Sequence, residues 1–107
     1  MIDRIIRVIL KNPEDPIGTI TCIPDKLEAL QEAVGGPIEM VYLDGQNLLI
    51  VNTEGKLRGL ESNFKFYASD VAGPVIVAGY QDDVLSDTGL DLEEWQAMLE
   101  KVGSAVE

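Results

Sequence analysis

The chain reads as an α+β domain: a mixed, mostly antiparallel sheet of about five or six strands with two amphipathic helices packed on one face. Three observations predict this. Short runs of β-branched and aliphatic residues recur, each bounded by Pro, Gly, Asn or Asp. Two segments between them instead space their apolar residues helically behind an Asp-x-x-Glu sequence. Turns of hairpin length join most of the runs, which favours antiparallel neighbours.

Residues 4–11 alternate, with Arg4, Ile6, Val8 and Leu10 on one side and Ile5, Arg7, Ile9 and Lys11 on the other. Residues 12–16, "NPEDP", form a turn, because two prolines cannot continue a ladder. Residues 17–23 resume β-branched character and return antiparallel. In "PDKLEALQEAVGG" Asp25 is the expected N-cap, and Glu28 completes a capping box. Leu27, Leu30 and Val34 make the helix's apolar stripe, Gly35 caps its end and Pro37 forbids continuation.

The strand at 38–43 sets Ile38, Met40 and Tyr42 against Val41 and Leu43. "DG" at 44–45 signals a two-residue hairpin loop. Residues 48–51 are apolar on both faces, as a central strand requires. "NTEG" at 52–55 predicts a turn with Gly55 in the left-handed region, followed by a short strand in which Lys56 and Arg58 flank Leu57. Between 59 and 73 the pattern weakens, and Phe64, Phe66 and Tyr67 are expected to anchor a loop or a short helix. "GPVIVAGY" is another buried strand, and "QDDVLSDTG" an acidic loop. Asp91 and Glu94 then form a second capping box, ahead of a helix with Leu92, Trp95, Leu99 and Val102 on its stripe and Gly103 as its stop.

A chain of 107 residues is expected to form a single domain over 1–107, burying roughly two-thirds of its unfolded surface. Net charge is −11, from 19 acids against 8 bases. That field repels phosphate backbones and makes nucleic acid an unfavoured partner, while it speeds encounter with a basic protein surface. No apolar run approaches the ~20 residues that span a bilayer. The N-terminal "MIDRIIRVIL" carries Asp3, Arg4 and Arg7 within its apolar run, a pattern no signal-peptide core tolerates, which predicts a cytoplasmic protein. The lone Cys22 excludes an intramolecular disulfide. With no histidine to activate it, Cys22 reads as a buried, inert thiol.

Catalytic signatures are sparse. The glycines mark turns and fall in neither a Walker loop nor a dinucleotide fingerprint. Asp82, Asp83, Asp87 and Asp91 offer the oxygen ligands that calcium or magnesium prefers, but their spacing misses the calcium-loop pattern, with Gly89 at position seven counted from Asp83 rather than six. They are weak metal candidates, and no cofactor is implied. The polar residues left over once strands and turns are assigned are Asn52, Lys56, Arg58 and Asn63. Architecture assigns the asparagines to turns and loops and the two cations to a sheet edge. The functional alternative gathers Lys56 and Arg58, with Arg4 or Arg7 beside them, into a small anion-binding site.

These residues carry a family resemblance. "LEALQEAVGGPIEMVYLDGQNLLIVNTEGKLRGLESN" resembles the core of the domain-of-unknown-function family thirty-eight forty-six, small proteins of phages, plasmids and conjugative elements. Leu27, Leu30, Gln31, Val34, Gly35, Gly36, Ile38, Glu39 and Val41 match the first part of its pattern. Val51, Asn52, Glu54, Gly55, Lys56, Leu57, Gly59, Leu60 and Asn63 match the second, with Thr53 departing from it. "SDVAGPVIVAGY" is similar to a later strand of the family. The resemblance implies a mobile-element setting in a bacterium and implies no activity.

The expectation is therefore a non-catalytic accessory protein that acts by binding a protein partner with a basic surface, an inhibitor of a host defence protein being the most specific version. The alternatives are a binder of small anionic, nucleotide-like ligands and a metal-dependent enzyme built on the acidic loop. A sheet with both helices on one face also leaves the other face to water or to a second copy, with Ile5, Ile9 and Leu49 as its exposed apolar candidates.

Overall fold

Strands β1 (Ile5–Lys11) and β2 (Thr19–Pro24) open the chain as a hairpin, in register from Ile5↔Pro24 to Leu10↔Thr19. The computed structural model describes residues 4–104, and Asp3 lies outside them. The turn between β1 and β2 is closed by Asp15, whose N–H donates to Asn12 O at 3.0 Å and whose carboxylate accepts from Asn12 N at 3.1 Å. Helix α1 (Leu27–Val34) leads to β3 (Ile38–Tyr42), which pairs with β4 (Asn47–Asn52). The chain then leaves the sheet to form a separate hairpin, β5 (Ser62–Phe66) and β6 (Ser69–Ala72). It returns as β7 (Val75–Gln81), continues into β8 (Val84–Ser86) and ends in α2 (Leu92–Ser104).

The main sheet has the order β2-β1-β7-β4-β3, with β8 pairing β7, and β5-β6 is a second, two-stranded sheet. Every pairing is antiparallel. The fold is α+β, as expected, and the sheet needs no parallel neighbours. Stepping across the order, β2 and β3 run in the same direction but occupy opposite edges. The helix between them therefore crosses the sheet rather than joining neighbours.

Coverage of the sheet differs from the sequence expectation. Leu48 and Ile50 of β4 face one way with Ile6, Val8, Ile76 and Ala78, and α1 closes that core with Leu30 and Val34. Leu49 and Val51 face the other way with Ile9, Val75 and Val77, and α2 closes that core with Trp95. The two helices lie on opposite faces. Ile9 and Leu49 are fully buried beneath α2, so of the expected exposed patch only Ile5 remains at the surface. The cause is legible in β4, where all six residues are buried, a state a strand reaches only when both faces are covered.

The helix ends also separate. At α2 the capping box forms: Glu94 N–H donates to the Asp91 carboxylate at 2.8 Å, and Asp91 N–H donates to the Glu94 carboxylate at 3.0 Å. The other end is held by Tyr67, whose N–H donates to Val102 O at 2.8 Å. The described helix runs through Ser104, so Gly103 does not stop it. At α1 the expected box is absent. Lys26 occupies the N-cap with no side-chain cap hydrogen bond. Asp25 faces Arg4 at 3.5 Å instead, because its N–H is drawn to Arg4 O at 2.7 Å as β2 finishes its ladder. Leu27, one position into the helix, is 56% exposed. Gly35 does adopt the left-handed cap, at φ 84°.

Three further expectations change. The 59–73 segment holds the β5-β6 hairpin rather than a loop or short helix; Phe64 meets Trp95 edge-on at 5.9 Å. The β3-β4 connection is a four-residue loop, 43–46, organised by Asp44, whose carboxylate accepts from Gln46 N and Asn47 N at 2.7 and 2.8 Å. Positive φ at Gly45 is not needed there. Cys22 is exposed, since it lies on the outer strand β2.

Because only one of the two aspartates caps a helix, their removal separates. Asp91→Ala is expected to lower unfolding free energy by about 0.5–2 kcal/mol. Asp25→Ala loses only a surface ion pair, about 0–1 kcal/mol. Urea denaturation of both variants checks this, and equal losses would contradict it.

Candidate functional site

The chain reverses after β4 through successive turns over 53–59, not through a strand. Gly55 N–H donates to Asn52 O at 3.2 Å, Arg58 N–H to Glu54 O at 2.9 Å and Leu60 N–H to Gly55 O at 2.9 Å. The left-handed glycine is Gly59, at φ 71°, and not Gly55. Gly55 is required by proximity: a Cβ there would stand 2.5 Å from Ala72 O.

Asn52 is buried and fully engaged. Its amide nitrogen donates to Val34 O at 3.1 Å and its amide oxygen accepts from Glu54 N at 2.7 Å. It thus fastens the end of α1 to the turn after β4. Asn63 does the same work for the second hairpin. Its amide nitrogen donates to Lys11 O and Gly73 O at 2.9 and 2.8 Å, and its oxygen accepts from the Lys11 ammonium. Lys11 is itself buried, with its nitrogen 5.8 Å from the centre of the Phe64 ring. Burial pulls the Lys11 pKa below its ordinary value, and the nearby Asp15 and Glu14 carboxylates oppose that.

Of the cations, Arg58 pairs with Glu54 at 3.0 Å in the open. Arg4 lies against Asp25 and Arg7 donates to Thr88 O at 3.1 Å, both at the far end of β1. Asn52 and Lys56 share the lining of one cleft of about 360 Å³, from which Arg58 and Asn63 are absent. Val41 and Val51 of the main sheet floor this cleft, Phe66 and Val71 of the second hairpin wall it, and Glu39, Lys56 and Asp70 supply its charges. An anion entering would meet one ammonium and two carboxylates. The lining mixes five apolar residues with six polar or charged ones, and the volume is in the lower part of the usual size range for ligand clefts.

The acidic segment is a hairpin rather than a loop. Gln81 pairs with Val84, and the two residues between them, Asp82 and Asp83, have φ of 53° and 64°. Positive φ at both central positions is the requirement of a type I′ turn, which aspartate tolerates. Asp87 accepts from Arg7 N at 2.8 Å. Among the described residues no three acids or cysteines gather as a metal site would need.

Sequence reasoning missed a second cleft, of about 270 Å³, on the α1 face. Met40, Tyr42, Leu48, Tyr80, Val84 and Leu85 line it, with Asp83 as the one charge. Met40 is 45% exposed, Tyr42 66% and Val84 48%, and Tyr42 meets Tyr80 edge-on at 5.2 Å. Helix α1 touches strands from β2 across to β3 and packs beside Ile38, so these side chains are uncovered because they lie further along the strands than the helix reaches. The alternation of Met40 and Tyr42 was the available signal. Val84 and Leu85 were hidden inside a stretch read as loop.

Removing the Asn52 side chain strands the Val34 carbonyl and the Glu54 amide. Asn52→Ala is therefore expected to destabilise by about 1–3 kcal/mol, while Lys56→Ala stays within about 0.5 kcal/mol of the native chain; chemical denaturation that found both neutral would contradict this role. Lys11 gives a pH signature. Its folded pKa is lowered, so the unfolded chain holds more protons between the folded and ordinary lysine values, and stability rises with pH across that window. The native chain is expected to gain on a Lys11→Met variant as pH climbs toward the ordinary lysine value. A pH-independent difference in unfolding free energy would remove this account.

Residues 6–102 match the family model described as Domain of unknown function (DUF3846). No curated protein and no solved structure gives a match. The matched span takes in both sheets and nearly all of α2, together with the Asn52 and Asn63 fastenings and both clefts. This chain belongs to the DUF3846 family of domains of unknown function.

Proposed function

We propose that this protein acts by binding a protein partner with a basic surface, as a non-catalytic accessory factor of a phage or other mobile genetic element. One observation carries the reading: an uncovered apolar stretch, Met40, Tyr42 and Val84, set in a surface whose net charge is −11. Apolar contact then supplies affinity and the acidic field supplies attraction and partner choice. Inhibition of a host defence protein is the most specific form of this proposal, and it draws on the family resemblance. Imitation of DNA is a poorer fit, because the carboxylates are dispersed over both helices and several turns. The anionic-ligand alternative is weakened by the two carboxylates beside Lys56, and the metal-enzyme alternative by the turn role of Asp82 and Asp83.

The test is affinity capture on the full chain from bacterial lysate at low salt, followed by rebinding from purified components. A basic protein is expected to rebind in fixed stoichiometry, with affinity falling as salt rises. Recovery of no basic protein, or binding indifferent to salt, would overturn the reading.

A further inference from the structure

The outer strand β3 offers more than apolar side chains. Thr53 N–H donates to Pro37 O at 2.8 Å and Leu43 N–H donates to Asn47 O at 3.0 Å. Antiparallel pairs alternate between bonded and non-bonded. By that alternation, Glu39 and Val41 use their backbone groups on β4, in register with Val51 and Leu49. The N–H and C=O groups of Ile38, Met40 and Tyr42 are then directed away from the sheet.

The side chains of the same strand alternate between its faces. Met40 and Tyr42 enter the apolar cleft on the α1 face. Glu39 and Val41 enter the cleft on the α2 face, whose charges are Glu39, Asp70 and Lys56. Glu39 has no ion-pair partner among the described residues. A bare strand edge flanked on both faces by clefts of different chemistry matches one kind of occupant, an added strand.

We propose that the β3 edge receives an extended segment of the protein partner as a further antiparallel strand, with a basic residue opposite Glu39 and apolar residues one and three positions before it, opposite Met40 and Tyr42, facing the Met40–Tyr42 cleft. This rests on the partner-binding reading and narrows it. The pair at Glu39 falls at a non-hydrogen-bonded position, where cross-strand side chains come closest. Main-chain bonds supply affinity in this mode and the two clefts supply specificity. A second copy fits less well. Two-fold pairing centred on Met40 sets Glu39 against Val41 of the other copy, leaves the carboxylate unpaired and joins two chains of charge −11.

The probe is a library of random dodecapeptides displayed on phage and selected on the full chain. Enriched peptides are expected to alternate apolar and basic residues. Remade with N-methyl groups on alternate backbone nitrogens, they should bind about tenfold more weakly in the phase that blocks the edge and unchanged in the other. Met40→Pro should weaken binding similarly, since the N–H it removes faces outward and serves no bond to β4. Glu39→Lys should abolish the preference for basic residues. No enrichment, indifference to N-methylation in both phases, or a stable dimer by ultracentrifugation would overturn the proposal. The methylated peptides decide the matter if Met40→Pro unfolds. A natural partner retained equally by native and folded Met40→Pro chains would remove the edge while leaving the partner-binding reading in place.

Discussion

Burial of β4 and β7 on both faces is the constraint from which the rest of the architecture follows. All six residues of β4 and the first five of β7 are buried. Their apolar side chains alternate, Leu48 and Ile50 against Leu49 and Val51, Ile76 and Ala78 against Val75 and Val77. At about 25 cal/mol for each Å² of apolar surface withdrawn from water, leaving either set exposed would forfeit much of the stability of a small domain. Each face therefore needs its own cover. The chain supplies α1 for one face, and for the other α2 together with the β5-β6 hairpin. The Trp95 indole, which donates to Ile17 O at 2.8 Å, anchors the second cover on the first hairpin.

This explains which parts of the fold were legible in the sequence. The strands of the main sheet other than β8, both helices and the β1-β2 return were readable because alternation and helical spacing are local. The apolar run at 48–51 even announced a strand covered on both faces. The placement of both helices on one side contradicted that announcement, and the structure resolves the conflict in favour of the strand. Where a local signal was ambiguous, long-range demand decided it. Asp25 and Asp91 both precede Glu by three residues. Asp91 is free to cap, whereas Asp25 is still engaged in the last pairing of β2 with Arg4. The β5-β6 hairpin escaped notice because its strands are short, irregular at Ser62/Phe64 and joined through Tyr67 at φ 57°, a residue that carries no turn signature.

The residues of the family pattern acquire physical roles that sequence alone left divided between architecture and chemistry. Asn52 and Asn63 are long-range fasteners, each satisfying backbone groups from a separate segment. Gly36 lies against the Asn52 side chain, where a Cβ would stand 2.8 Å from its amide nitrogen, and Gly55 lies against Ala72. A buried amide bonded through both its nitrogen and its oxygen holds its neighbours in one arrangement, and losing a partner is expensive. These contacts fix the second hairpin over the main sheet and so shape the wall of the cleft that reaches β3. Lys56 lies on the rim of that cleft and Arg58 outside it. These glycines and asparagines of the pattern thus specify a scaffold, and of the pattern residues Glu39 is the one the proposed binding mode uses for recognition.

The two edges of the sheet are not equivalent, and the difference is chemical. On β2 the backbone groups turned outward belong to Ile20, Cys22 and Pro24, by the same alternation that bonds Asp25 to Arg4, and proline has no N–H to offer. On β3 the outward positions Ile38, Met40 and Tyr42 keep both donor and acceptor. Soluble proteins blunt exposed edges with proline, lysine or a covering element, because a bare edge invites unwanted pairing. Here Pro37 lies just outside β3, the charge on the strand is Glu39, and α1 covers Ile38 but leaves Met40 and Tyr42 exposed. In the binding mode proposed above, a short edge carrying one acid favours strands that bring a compensating cation. The acid that disfavours pairing with copies of this chain is, in that proposal, the one that selects a basic partner.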